Sequence, residues 1–368
     1  MGLKATSSGL GAVAPYVQPG VLLQTSLQLP KTRAALARVK SGNGNMRILC
    51  LGDSTTSGYW SNGTTSGDLK THSWPGALSS LLNAAGINAH INSTFGCEAN
   101  NKANFDTRLS VGSGWQQGLS NSLGGNFYFA NSATGNLSFT PTVNVDTFNL
   151  FFTKFGGDGT VSYNLNGGSS TNMSLNGTGI ASAIATTTLG INTVNFNWVS
   201  GGNVNAGYVE AYDSSRKWVS VMNAGVYGWA SGNYYPQDPN YGTQSFITLL
   251  APDLTIIALG INDWQQSVSI TTYTNNIQGL ITRALTVGDC LLLAPNPTNS
   301  TIMLPQQQPY ISAEYALAQS NNIPVVDIWS RFVSQPSASV LGMMGDFLHP
   351  NGVGYADIAQ AVMNAINV

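Results

Sequence analysis

Four short polar blocks interrupt the apolar runs of this chain. Residues 46–60, MRILCLGDSTTSGYW, run apolar until Gly52-Asp53-Ser54, where a hydroxyl stands beside a carboxylate. Asn223 to Gly228 (NAGVYG) follows VSVM, and Gly260-Ile261-Asn262-Asp263 follows LTIIAL. Asp346-Phe347-Leu348-His349 lies just before the last helical pattern. Together the blocks hold a hydroxyl, an imidazole, carboxylates and a side-chain amide, a set that suits acyl transfer. Alone, Gly-Asp-Ser is a common capped turn, since serine and aspartate are favoured helix N-caps. A nucleotide cradle is a poor reading of LGDSTTSG, which has neither G-x-G-x-x-G nor G-x-x-x-x-G-K-[ST].

These blocks need a frame that brings them to one edge. Strand patterns at 46–52, WVSVMNAGVYG, APDLTIIALGIND, DCLLLAPNP and IPVVDIWS alternate with helical patterns at WPGALSSLLNAAG (74–86), YTNNIQGLITRALTVG, PYISAEYALAQSNN and GVGYADIAQAVMNAINV. INAHINS (87–93) reads as a further strand. Such alternation implies a parallel sheet covered by helices on both faces, with ligands beyond the carboxyl ends of its strands. From about Val111 to Trp218 the texture changes to short runs such as NFYFAN, GNLSFTPTV, TFNLFFTKF, TVSYNLNGG, TVNFNWVSGG and AGYVEAYD, spaced by Gly/Asn/Ser turns. That is an antiparallel sandwich pattern. The expected organisation is a surface arm at 1–45, a discontinuous α/β core at 46–111 and 219–368, and an inserted jelly-roll or sandwich-like β domain at 112–218.

Charged residues make up 8% of the 368 residues, with 14 Lys+Arg against 16 Asp+Glu and a net charge of −2. The absence of a basic patch argues against nucleic acid and against electrostatic membrane binding. No run approaches ~18 apolar residues, so no membrane span is expected. Cys50, Cys97 and Cys290 make no disulfide framework, and Cys50 and Cys290 are expected as buried thiols. The stretch SSGLGAVAPYVQPGVLL is broken by Gly and Pro and does not read as a secretory signal. The low-charge, Asn/Gly-rich composition favours an extracellular or virion-associated setting over the cytoplasm.

The ordered set of blocks resembles the SGNH (GDSL-type) serine hydrolases, over residues 46–110 and 219–368. That family is named for a Ser in Gly-Asp-Ser, a Gly, an Asn in Gly-x-Asn-Asp and a His in Asp-x-x-His. The resemblance implies a flavodoxin-like three-layer α/β/α fold and ester hydrolysis without metal or cofactor. It implies Ser54 as nucleophile, His349 as its base and Asp346 as the carboxylate that fixes the imidazole tautomer. The oxyanion donors would be the backbone N–H of Ser54, the backbone N–H of Gly228 and the Asn262 amide. The glycine is open: NSTFG offers Gly96 in a similar pattern, and Gly225 fits if the register shifts by a turn. The β insert departs from the minimal family core and lengthens the path from Ser54 to Gly228.

Asp53 and Asp263 read as loop architecture. His90 lies in a strand pattern and reads as structural, while His72 stands near the first block and competes weakly as base. Aromatics crowd the blocks: Tyr59 and Trp60, Tyr227 and Trp229, Trp264, then Tyr234 and Tyr235. Trp60, Tyr227, Trp229 and Trp264 are the substrate-binding candidates, since aromatic faces suit sugar rings or aryl groups. The expected activity is removal of short acyl groups, acetyl above all, from a polysaccharide or glycoconjugate, by a chain that could oligomerise. The rivals are a general short-chain aryl- or alkyl-esterase or lipase and, from another class, a non-catalytic adhesin or tail-fibre-like carbohydrate-binding protein.

Overall fold

A run such as RILCL has side chains on alternate faces, so both faces must be buried for it to be stable as a strand. In the computed structural model, Met46–Gly52 lies within a seven-stranded sheet. The structure describes residues 21–22, 28–95, 105–132, 135–298 and 304–366. The strand order is Val21–Leu22, Val325–Asp327, Asp289–Ala294, Leu254–Ala258, Met46–Gly52, Val219–Gly225 and Ala89–His90. All neighbours are parallel except Val21–Leu22, which pairs antiparallel with Val325 and Val326.

Period-2 alternation divides the strand residues between two cores. Ile48, Cys50, Val221 and Ile256 pack against helices Pro30–Lys40, Trp74–Ala84 and Gly352–Ala365. Leu49, Leu51, Met222 and Ile257 pack against helices Thr243–Leu250, Ile270–Leu285 and Leu304–Asn321. The result is the three-layer α/β/α core expected of an SGNH hydrolase. The N-terminal segment departs from the expected surface arm. Leu29, Ala35, Leu36 and Val39 are buried in the first of these cores, so the helix Pro30–Lys40 is part of the layer itself.

The β-rich region forms three antiparallel sheets of five, four and three strands. Between them lies a separate core that includes Leu137, Phe139, Phe148, Leu150, Phe152, Val161 and Phe196. It begins before residue 112: Ser93–Thr94 and Leu109–Val111 already pair within these sheets. Ser93–Thr94 and Leu109–Val111 are too short for an apolar alternation to mark them as part of the β-rich region. Along Val145–Lys154, Phe148, Leu150 and Phe152 face the sandwich core, while Phe151 turns to the Phe246 ring, with centroids 6.4 Å apart. Tyr208 also meets Phe246, at 4.9 Å. The accessory sheet is thus continuous with the helical face of the α/β layer.

Candidate active site

Register brings three blocks together. Gly52 pairs with Gly225 on one side and with Ala258 on the other, so the loops carrying Ser54, Gly228 and Asn262 leave three adjacent strand ends. A chain cannot turn this tightly between packed strands with side chains in the way. A Cβ on Gly52 would lie 2.1 Å from Thr56 Oγ1, and one on Gly225 would lie 2.4 Å from the Ser57 nitrogen. These glycines let the one-turn helix Ser54–Ser57 sit directly on the strand ends. Gly225 therefore has a packing role.

Asp53 caps that helix: its Oδ1 accepts from the Thr55 N–H and the Thr55 hydroxyl, both at 2.8 Å. Burial pushes the Asp53 carboxyl up to about 6, against the opposing pull of those two bonds and of His349.

Ser54 Oγ lies 2.9 Å from His349 Nε2, and His349 Nδ1 lies 2.9 Å from Asp346 Oδ2. The Asp-x-x-His turn is closed on itself. Asp346 Oδ1 accepts from the N–H groups of Leu348 at 2.7 Å and His349 at 2.6 Å, and the Gly345 N–H donates to the His349 carbonyl at 2.8 Å. Burial raises the Asp346 carboxyl, but the bonds from the His349 ring and the two backbone N–H groups outweigh it and hold it below the usual carboxylate value. Asn296 ties the turn to the neighbouring strand end by donating to the Leu348 carbonyl at 2.9 Å.

Asn262 stands in the first turn of the helix Ile261–Gln265 and donates one amide hydrogen to the Trp229 carbonyl at 3.0 Å. Gln266 donates to the Gly228 carbonyl at 3.1 Å, so this helix holds the 228–229 loop from both ends. Gly228 has φ +78°, and a Cβ there would meet nothing within 4 Å. Gly96 and Cys97 lie outside the described residues. Asp263 accepts from the Ser231 N–H at 2.9 Å and the Ser231 hydroxyl. Burial raises its carboxyl despite those bonds.

The aromatics sort differently from the sequence expectation. Tyr59 packs on the His349 ring at 4.6 Å, and Tyr227 lies nearly parallel to it at 6.5 Å. Phe105 closes the group, 5.8 Å from Tyr59 and 6.2 Å from Tyr227. No residue pattern near Phe105 points to this placement. Trp229 and Trp264, expected to meet substrate, are instead buried in the core, where Trp229 makes an edge contact with Tyr234. Trp60 packs beside Gly345, where a Cβ would lie 2.6 Å from its own Cβ, and so braces the Asp346 turn. The Tyr234 hydroxyl sits between the Gly52 and Ala224 carbonyls.

The other histidines stand apart. The His72 ring is exposed and contacts the Asp68 carbonyl at 2.8 Å. His90 pairs with Ser220, at the opposite end of the strand from Gly225, with its ring edge against Trp218. Burial lowers its imidazole to about 4. Among the described residues no group of three His, Cys, Asp or Glu side chains could hold a metal ion, and no helix is long and apolar enough to cross a membrane.

A parallel α/β/α layer bearing a hydroxyl, an imidazole and a carboxylate in hydrogen-bonded series is the frame of an ester hydrolase. Residues 181–356 match the model of the GDSL-like lipase/acylhydrolase family, and the chain is a carboxylic ester hydrolase. The matched segment includes Asn262, Asp346 and His349, and Ser54 lies before it. None of the curated proteins matches the chain in sequence. Among solved structures, a peptidoglycan O-acetylesterase superposes with a TM-score of 0.72 at 15% identity, covering 93% of this chain and 96% of that one. A lipase/acylhydrolase from Enterococcus faecalis gives a TM-score of 0.35 at 19% identity, over 40% of this chain and 75% of its own. An acetylxylan esterase from Geobacillus stearothermophilus gives 0.34 at 19% identity, over 41% and 74%.

Proposed function

We propose that this esterase removes short acyl groups, acetyl above all, from hydroxyls of a polysaccharide or glycoconjugate, with Ser54 as nucleophile, His349 as base and Asp346 as its orienting partner. The observation that carries the reading is the pair of 2.9 Å contacts from Ser54 through His349 to Asp346. Asp346 Oδ2 accepts a hydrogen bond from Nδ1–H, which leaves the Nε2 lone pair facing Ser54 Oγ. As Oγ bonds to the ester carbonyl carbon, Nε2 takes its proton and the carbonyl π pair moves to oxygen. The Ser54 N–H, the Gly228 N–H and the second amide hydrogen of Asn262 receive that oxyanion. Loss of one such donor costs about 3–4 kcal/mol in comparable sites. The intermediate collapses by breaking the bond to the alcohol, which leaves with the proton from Nε2. Water, deprotonated by the same nitrogen, then attacks the acyl-enzyme, releases the acid and restores Ser54.

Steric access favours a small acyl group. Ser54 and His349 are only 4% and 7% exposed, and Tyr59, Tyr227 and Phe105 close over the imidazole. The same aromatic faces suit a sugar ring on the alcohol side. A peptidoglycan O-acetylesterase superposes on nearly the whole length of this chain, which makes acetylated glycans the first substrates to try. The test is a rate series on p-nitrophenyl acetate, butyrate and octanoate, beside O-acetylated peptidoglycan and acetylated xylan. Rates falling with acyl length, with acetate released from a glycan, support the reading. A preference for octanoate overturns its acyl part, and full activity in Ser54→Ala overturns its nucleophile.

A further inference from the structure

The joint between the strand Leu254–Ala258 and the helix that carries Asn262 rests on a buried polar pair that the mechanism above does not use. Tyr273, on the helix Ile270–Leu285, places its hydroxyl 3.2 Å from the Leu259 carbonyl and in hydrogen-bond contact with Oε1 of Glu314, on the helix Leu304–Asn321. Both side chains are fully or almost fully buried, at 0% and 2% exposure. The next residue, Gly260, has φ +130°, and a Cβ there would lie 3.1 Å from the Tyr273 oxygen and 3.5 Å from Glu314 Oε1. The backbone two residues before Asn262 is thus pressed directly onto this pair.

A phenol has one hydrogen and cannot donate to both neighbours at once. The Leu259 carbonyl can only accept, so if Tyr273 serves it, the hydrogen between Tyr273 and Glu314 must belong to Glu314. Glu314 Oε2 is also buried without a hydrogen-bond partner, a position that suits the carbonyl oxygen of a neutral acid far better than an anion. The surroundings agree. Burial pushes the Glu314 carboxyl well up, and Asp263, Asp327 and Asp53 push it the same way, with only the Tyr273 bond opposing.

We infer that Glu314 is held as a neutral carboxylic acid that donates to Tyr273, that Tyr273 donates to the Leu259 carbonyl, and that this relay positions the Asn262 amide for the oxyanion. Glu314 and Tyr273 are positioning residues: neither lies among the groups that touch substrate. The inference rests on the oxyanion role given to Asn262 above. Its physical content is that a misplaced donor forfeits transition-state stabilisation while substrate binding is kept, so kcat should fall with little change in KM.

A double-mutant cycle on p-nitrophenyl acetate tests it. Tyr273→Phe should lower kcat about ten- to a hundredfold with KM nearly unchanged, the scale expected of a small displacement at a catalytic group. Combined with Asn262→Ala, it should add almost nothing, because the donor it positions is gone. Glu314→Gln keeps a neutral donor and should retain kcat, whereas Glu314→Leu should match Tyr273→Phe. An infrared carbonyl band of a protonated buried carboxyl should be present at neutral pH and vanish in Glu314→Gln. If Asn262→Ala is itself silent, the oxyanion reading falls and the relay with it. If Asn262→Ala is damaging but Tyr273→Phe gives the same loss in both backgrounds, only the relay is overturned. Absence of the carboxyl band overturns the neutral Glu314.

Discussion

The Arg47 guanidinium, on the strand that leads to Ser54, forks onto the Glu210 carboxylate of the accessory sheet through Nε at 3.0 Å and Nη2 at 2.8 Å. Glu210 is fully buried and also accepts from Asn149 at 2.8 Å. Burial raises the Glu210 carboxyl, but Arg47 outweighs that and holds it below its ordinary value. The pair links the parallel sheet to the β-rich region, and Arg47 Nη1 also donates to the Leu250 carbonyl at 3.1 Å.

Removing the cation should expose that cost. Arg47→Met leaves a carboxylate buried with one amide for company, and losses of about 3–5 kcal/mol are usual when a buried pair is broken on one side. Because the folded Glu210 titrates low, its contribution is present above about pH 4.3 and is lost as pH falls through the folded value. The stability gap between wild type and Arg47→Met, measured by urea unfolding, should therefore be large at pH 7 and shrink towards pH 3. A gap independent of pH would show that packing, not charge, is what Arg47 supplies.

Two glycines near the site should separate cleanly. Gly225→Ala drives a methyl to within 2.4 Å of the Ser57 nitrogen, against backbone that cannot yield. A loss of about 3 kcal/mol or more, with collapse of activity, is expected. Gly228→Ala enters open space and is opposed only by φ +78°, a strain of roughly 1–2 kcal/mol. It should fold and keep measurable activity, since the donor assigned to it is a backbone N–H. Thermal melts and rates on p-nitrophenyl acetate distinguish the two. Equal effects would argue against the separate roles.

Asp53 should make the enzyme less stable as pH rises. Its folded value of about 6 lies above the ordinary value near 4, so the folded state binds the proton more tightly than the unfolded chain. Its contribution is complete below about pH 4 and is lost as pH rises to about 6. Asp53→Asn keeps an acceptor for the Thr55 N–H and hydroxyl but carries no charge to bury. Relative to wild type, this variant should gain stability between pH 4 and pH 6.5, by an amount of order 2–3 kcal/mol. Parallel unfolding curves at all pH values would contradict this.

The blocks that carry chemistry were legible because each is a local motif at the end of a strongly apolar run. LTIIAL and MRILCL, buried on both faces, advertise central parallel strands. What was not legible depends on distant partners. In the strand Gly179–Gly190, GIASAIATTTLG, the residues that face the core are Ala181, Ala183 and Ala185, while Ile184 and Leu189 are exposed, so the apolar pattern is misleading, and the strand pairs with Val145–Lys154 all the same. The helix Pro30–Lys40 shows its pattern, but nothing local says that Leu36 and Val39 are buried. Trp229 and Trp264 looked like substrate platforms by proximity to the motifs, yet their rings turn into the core while Tyr59 covers His349. Tyr273 and Glu314 meet across 41 residues of sequence, and the helical patterns that hold them do not show that the two helices bring them together.

Asp346→Asn tests the orienting role most directly. The asparagine Oδ1 can still accept from the Leu348 and His349 N–H groups, so the turn should hold its shape. Its NH2 would then face His349 Nδ1 and force that nitrogen to accept, which puts the ring hydrogen on Nε2 and points it at Ser54. The base would present a donor where an acceptor is needed, and in comparable triads this wrong tautomer costs about 10⁴ in kcat. The stability gap to wild type should be present at neutral pH and close in acid. Asp346 titrates below its ordinary value, so its contribution is present above about pH 4 and lost as pH falls through the folded value, whereas the asparagine has nothing to titrate. With the turn intact, circular dichroism at neutral pH should be unchanged while turnover of p-nitrophenyl acetate nearly disappears. A variant that kept its activity would mean that the 2.9 Å contact between Asp346 and His349 does not set the tautomer.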